Sequence, residues 1–401
     1  MMFHIQMVIS GIVVVFALFG FTLTVTQAQV SSGSFVTSPS WSVDGTKIAI
    51  AVGDNVEVYD AITQQLIYVL EGHSNFISMI AWSPDNTMIA TSSYDQTVMI
   101  WATGDGTLLR TLTGHNDSVT AIAWFPDSQR LVSSGLESEP SLFVWYAQTG
   151  TLISTHSGGS ITDLAFSPDG RRIAFSTSLS IGTFDSQTFE LLSRSPRVQC
   201  CPNTMYSIAW NRTGDSLITG SINGLVTIWD SQTGQMRNQF VANPYFESDS
   251  REIERLDLSW VRDVTFAQND NLALAVSGDG SLREWNSVTG EMIQNLPIAI
   301  SHIAASWSPY SGRLAVLELQ SLAATDGENL DTGVTTGNLT IIVPDPSIER
   351  LNAIAAACDA PVSPSTDMAD FMAQVEALPA DSIPPACAAD LLAVARALEG
   401  G

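Results

Sequence analysis

Between Ser34 and Pro344 apolar and polar residues alternate in short runs of period two, as in ISMIAW at 77–82 and MIATSS at 88–93, and no helical period interrupts them. Such runs, bounded by turn residues, predict half-buried strands. An aromatic closes one run in each copy of a longer unit: Trp41, Trp82, Trp124, Phe166, Trp210, Phe266 and Trp307, at intervals of 41, 42, 42, 44, 56 and 41. Each is followed by a turn sequence such as WSVDG, WSPDN or FSPDG. Asp-Gly and its relatives supply the positive φ that tight hairpins need. In six copies a second aromatic follows 18 to 21 residues later: Tyr59, Trp101, Trp145, Phe184, Trp229 and Trp285. Another turn and a last short run complete the unit. Each copy thus predicts four strands joined by tight turns, an antiparallel meander rather than βαβ units.

A four-stranded sheet cannot bury both its faces alone, whereas seven stacked radially can. At this point the chain resembles the WD-repeat β-propeller family, over residues 34–345. The resemblance is carried by Gly72-His73, Gly114-His115, the Ser-Pro-Asp turns at 83–85 and 167–169, and Trp229-Asp230. It implies an all-β, seven-bladed propeller of four-stranded antiparallel sheets. It also implies a structural hydrogen-bonded set within a blade, here His73, Ser92 or Ser93, Asp95 and Trp101. The third unit keeps His115 and Trp145 but has LESEP where the acid belongs. Ring closure would use an N-terminal strand, for which residues 29–36 are the candidates.

Three segments exceed what a propeller needs: 193–206, 242–260 and 320–338. In a four-stranded meander all three links emerge on one face, the top. Insertions gathered on one face are where repeat proteins bind. The second insertion sets Tyr245, Phe246 and Trp260 beside Arg251 and Arg255, aromatics among charges that suit recognition. After Pro346 the chain turns Ala- and Leu-rich with helical spacing, predicting a small α-helical appendix over 346–401 that packs near blade seven.

Net charge is −25, with 41 acidic and 16 basic residues, and Lys47 is the sole lysine. Such a field repels phosphate backbones, so no nucleic-acid partner is expected. Met7 to Val25 carry no charge. With TQAQ after them, residues 1–28 read as a signal peptide or a membrane anchor. Either one places the rest outside the cytoplasm, secreted or in a bacterial cell envelope. Four cysteines suit that compartment: Cys358 and Cys387 are expected to bridge two C-terminal helices, and Cys200 and Cys201 are adjacent in a top loop.

Catalytic chemistry is not legible. The five histidines are His4, His73, His115, His156 and His302, and no metalloprotease, nucleophile-elbow, Walker or calcium-loop pattern occurs. No cofactor and no metal are expected. The leading reading is a monomeric, non-enzymatic, exported scaffold that binds a protein or peptide through its top loops. The alternative is a propeller enzyme, hydrolase- or lactonase-like, with a small substrate at the central channel. A third reading is an envelope scaffold held by residues 7–25.

Overall fold

The computed structural model describes residues 27–30, 39–136, 140–196, 205–242, 261–267, 270–297, 303–308, 313–321, 335–342, 354–355, 360–362, 368–376 and 383–399. Twenty-eight strands form seven four-stranded antiparallel sheets. After β1 (Gln27–Val30), blade one holds β2 to β5 over 40–70 and blade two β6 to β9 over 77–112. Blade three holds β10 to β13 over 119–156, blade four β14 to β17 over 161–194, and blade five β18 to β21 over 205–241. Blade six holds β22 to β25 over 261–297, and β26 to β28 over 303–342 belong to blade seven. The innermost strands touch in cyclic order, and β26 returns to β2, so the ring closes.

Alternation along each strand decides what packs where. In β3 (Lys47–Val52), Ile48, Ile50 and Val52 face blade seven, where they pack with Ala315, Leu339 and Ile341. The intervening Ala49 and Ala51 face blade two, beside Ile77, Ile80 and Trp82. The core is therefore a set of clefts between sheets, one large-residue face against the next. Each fully buried aliphatic side chain there contributes about 1.5–3 kcal/mol. The first turn of units one to six repeats a positive φ at one position: Gly45, Asn86, Ser128, Gly170, Gly214 and Asp270. Asn and Asp tolerate that region, so the turn survives the loss of glycine.

Junctions between blades are also hydrogen-bonded. Trp82 Nε1 donates to Ser40 O (3.1 Å), Trp124 to Ala81 O (3.0 Å) and Trp210 to Ala165 O (2.9 Å). Each acceptor lies one residue before the previous blade's inner aromatic. Trp41 makes the same bond across the seam, to Ser306 O at 2.9 Å. Hydroxyls reach the other way: Ser78 to Val119 O, Thr120 to Ile161 O and Thr162 to Met205 O, at 2.5–2.7 Å.

Blade seven is completed by the N-terminal strand. β1 pairs antiparallel with β28 (Thr335–Ile342), Gln27 opposite Thr340 and Val30 opposite Gly337. The strand expected at 29–36 thus starts at Gln27. Residues 7–25 lie outside the described residues. Among the described residues no helix is long and apolar enough to cross a membrane. The expected membrane attachment, and the extracytoplasmic location built on it, are withdrawn.

Among the described residues that follow are α1 (Met368–Glu376) and α2 (Pro385–Glu399). They share a small core of their own, with Ile354, Phe371, Leu391 and Val394. Cys387 is buried there and disulfide-bonded. Cys200, Cys201 and Cys358 lie outside the described residues. Among the described residues Cys387 is the one cysteine, and the oxidising compartment expected from four of them does not follow from it.

Candidate functional site

The face of interest is the one on which inner strands begin and second strands end. There the chain passes from β17 to β18, from β21 to β22 and from β27 to β28. These are the three links with insertions. The inserted residues Tyr245, Phe246, Arg251, Arg255 and Trp260 lie outside the described residues. The described rim of the same face carries Phe76, Tyr94, Leu179 and Arg194. Tyr94 N donates to Phe76 O at 3.0 Å, which ties two top turns of blade two together. Tyr94 and Leu179 are about two-fifths exposed, at 36 % and 39 %. Arg194 Nε donates to Ser180 Oγ at 3.1 Å.

Beneath this rim lies the hydrogen-bonded set of blade two. Trp101 Nε1 donates to Thr91 Oγ1 at 2.9 Å, and His73 Nε2 meets the same oxygen at 2.8 Å. His73 Nδ1 lies 2.8 Å from Asp95 Oδ2, which also accepts Ser74 N at 3.0 Å. The hydroxyl is therefore Thr91, and Ser92 is not part of the set. The reason is alternation: one residue along β7 (Met88–Ser93) faces the opposite side. Ser92 Oγ accordingly bonds Ser78 Oγ at 2.8 Å, and Ser93 Oγ caps Asn75 O and Phe76 O.

Blade three keeps three of the four members. His115 Nε2 meets Ser133 Oγ at 2.7 Å, and Trp145 Nε1 donates to it at 2.8 Å. His115 Nδ1 is buried with no hydrogen-bond partner among the described residues. Burial holds its imidazole down to about 4, so it is neutral at physiological pH. Blade five retains only Trp229 Nε1 to Thr219 Oγ1, 2.8 Å.

Two carboxylates sit on inner strands, where the alternative reading needs chemistry. Asp163 on β14 (Ile161–Phe166) is buried and Asp263 on β22 (Val261–Ala267) is partly so. Burial raises Asp163 to about 7, and the like charge of Asp263 adds to it, against backbone N–H donation from Ile208 and Leu164. Burial also raises Asp263 to about 6, against hydrogen bonds from Val264 N, Ser207 Oγ and Trp307 N. Ser207 Oγ donates to Asp263 Oδ1 at 3.3 Å. Sequence reasoning missed both groups, although each stands at the third residue of an inner strand, where other blades carry Met79, Ala121 and Ser207. His156 stacks on Phe189 at 4.1 Å, and its strand, β13 (Thr151–His156), is the outer strand of blade three, away from the channel. Among the described residues no three His, Cys, Asp or Glu side chains are gathered to hold a metal.

The family model "WD domain, G-beta repeat" matches five segments, 64–102, 106–145, 147–181, 197–230 and 256–286. A guanine nucleotide-binding protein subunit beta of Schizosaccharomyces pombe is 38 % identical over 77 residues, 19 % of this chain and 25 % of that protein. WD repeat-containing protein 75 of Mus musculus is 35 % identical over 72 residues, 18 % of this chain and 9 % of that protein. An uncharacterized WD repeat-containing protein of Synechocystis is 37 % identical over 71 residues, 18 % of this chain and 20 % of that protein. The matched stretch thus spans a quarter or less of each relative. These organisms are a fungus, an animal and a cyanobacterium, so the likeness carries neither the bacterial source nor the export once expected. What it does carry agrees with the seven sheets: this chain contains WD40 repeats.

Proposed function

We propose that the protein is a non-enzymatic scaffold whose propeller presents its top-face links to a polypeptide partner. The observation that carries this is topological. The three longest links all leave from the same ends of rigid sheets, from β17 to β18, β21 to β22 and β27 to β28. Scattered drift would have lengthened bottom turns as well, yet the turns after β2, β6, β10, β14 and β18 stay short. Recognition would rest on a few aromatic anchors with arginine partners, Tyr245, Phe246 and Trp260 with Arg251 and Arg255, beside the described Tyr94. The named relatives include a guanine nucleotide-binding protein subunit and a further WD-repeat protein, which supports an assembly role by analogy of fold.

The test is affinity capture from the native source with three baits. These are the wild type, a variant with residues 244–259 replaced by a short Gly/Ser linker, and a bottom-face control, Val288→Asp. The reading requires a protein retained by the wild type and the control and lost with the linker variant. Equal recovery by all three baits would remove the top face from consideration. Turnover of model esters or lactones that disappears in Asp163→Asn would favour the channel-enzyme alternative instead.

A further inference from the structure

In blades one, two and four the first turn is closed by the same pair of groups. Ser42, Ser83 and Ser167 each donate Oγ–H to the aspartate two residues on, Asp44, Asp85 and Asp169, at 2.6 Å. Each serine oxygen also accepts the backbone N–H five residues on, from Lys47, Met88 and Arg172, at 2.9 Å. Blade seven keeps the serine and the second bond, Arg313 N to Ser308 Oγ at 2.9 Å. Its sequence reads Ser308-Pro309-Tyr310, so the turn has no acid of its own.

The missing carboxylate comes from α2. Ser308 Oγ donates to Asp390 Oδ2 at 2.6 Å, across 82 residues of sequence. The other oxygen, Asp390 Oδ1, accepts Arg313 Nε at 2.7 Å. Arg313 in turn spans the seam to blade one. Its Nη2 donates to Gly45 O at 2.7 Å, and its guanidinium lies 4.7 Å over the Trp41 ring. Both charged side chains are almost wholly buried, at 4 % and 0 % exposure. An uncompensated charge is costly there, so the pair holds together or not at all.

A second junction shows what the arrangement is for. Between blades four and five, Arg172 lies 4.7 Å over the Trp210 ring and donates to Gly214 O and Ser231 Oγ. Gly214 and Trp210 are the counterparts of Gly45 and Trp41. There the acid of the turn is Asp169, in the same hairpin. Among the four described serine turns, blade seven alone takes it from elsewhere.

We propose that α2 is a latch that completes the seventh turn from outside the blade and holds the seam between blades seven and one closed, with Asp390 as the positioning residue. Blade seven then depends on both remote parts of the chain: β1 supplies its outer strand and α2 its turn acid. Displacing the helix would free Arg313 and loosen this junction while the other six keep their own ties. The C-terminal helices are on this view a component of the ring.

The experiment compares full-length wild type, Asp390→Ala, and Asp390→Ala with Tyr310→Asp by hydrogen exchange resolved to peptides. Asp390→Ala is expected to speed exchange in 40–52 and 303–308 by about tenfold or more while leaving 119–135 within about twofold. Tyr310→Asp is expected to reverse most of that change by restoring an acid within the turn, as Asp169 does in blade four. A uniform acceleration over all blades, no acceleration at the seam, or failure of Tyr310→Asp to reverse it would overturn the latch. Should Asp390→Ala not accumulate as folded protein, recovery of folded protein in the double variant supports the proposal and its absence overturns it.

Discussion

At the scale of residues, hydroxyl placement decides which blade is tied. Thr91 receives Trp101 and meets His73, and both rings are buried. Thr91→Val leaves two buried donors or acceptors unmatched and is expected to cost about 2–3 kcal/mol in urea unfolding. Ser92→Ala should cost about 1 kcal/mol, since it breaks one bond to Ser78. Equal losses would mean that the two positions are equivalent. The histidine, acid and tryptophan of this set were implied by the resemblance to the WD-repeat family. The hydroxyl was not, because Thr91, Ser92 and Ser93 are adjacent and only the pleat tells which one faces the tryptophan. The inner-strand aspartates Asp163 and Asp263 make a second residue-scale prediction. Their folded pKa values, about 7 and about 6, lie above the ordinary 3.8. The folded state therefore holds more protons than the unfolded one between about pH 4 and pH 7. What they contribute to stability is fully present below about pH 4 and is lost as pH rises through about 6 to 7. The melting temperature of the wild type should fall from pH 5 to pH 8 more steeply than that of Asp263→Asn. Parallel profiles would show that the pair does not titrate in this range.

At the scale of elements, Trp41, Trp82, Trp124 and Trp210 each join their blade to the preceding one through a single indole bond. Phe166 and Phe266 have no N–H to offer, so the junctions from blade three to four and from five to six lack it. Trp124→Phe should therefore lose one neutral hydrogen bond, about 1 kcal/mol, with little change in packing. Phe166→Trp should not gain as much, because the site is packed for a smaller ring beside Phe125, 4.7 Å away. Chemical denaturation of the two variants checks both signs. Strand periodicity and turn chemistry made every blade legible beforehand. The indole bonds were not legible, because an aromatic that ends a strand looks the same whether it only packs or also donates. Gly182 is a further case. A Cβ there would collide with the Phe175 ring at 2.6 Å and with Ser193 O. Gly182→Ala is expected to destabilise by about 1–3 kcal/mol, measured in the same way.

At the scale of the whole molecule, closure and charge dominate. β1 is hydrogen-bonded to β28 and so covers the edge that β28 would otherwise expose, an edge that would invite association. A net charge of −25 makes the surface repel polyanions. The protein should pass unretained through a heparin column at low ionic strength, and retention would reveal a basic patch that the sequence does not show. The composite seventh blade was only half legible. A missing outer strand pointed to the N-terminal segment, but nothing local announced that an acid on a distant helix would serve its turn.

Repetition of strand, turn and aromatic determined the number of sheets, their antiparallel order and the face that carries the long links, because these follow from period and from local backbone sterics. Tertiary structure alone decided where a local pattern was incomplete. The pleat of β7 chose the hydroxyl under Trp101, and the inner-strand aspartates and the Asp390 clasp on Ser308 and Arg313 join groups far apart in sequence. Their energies come from burial and from distances set by the closed ring, which no window of the chain contains.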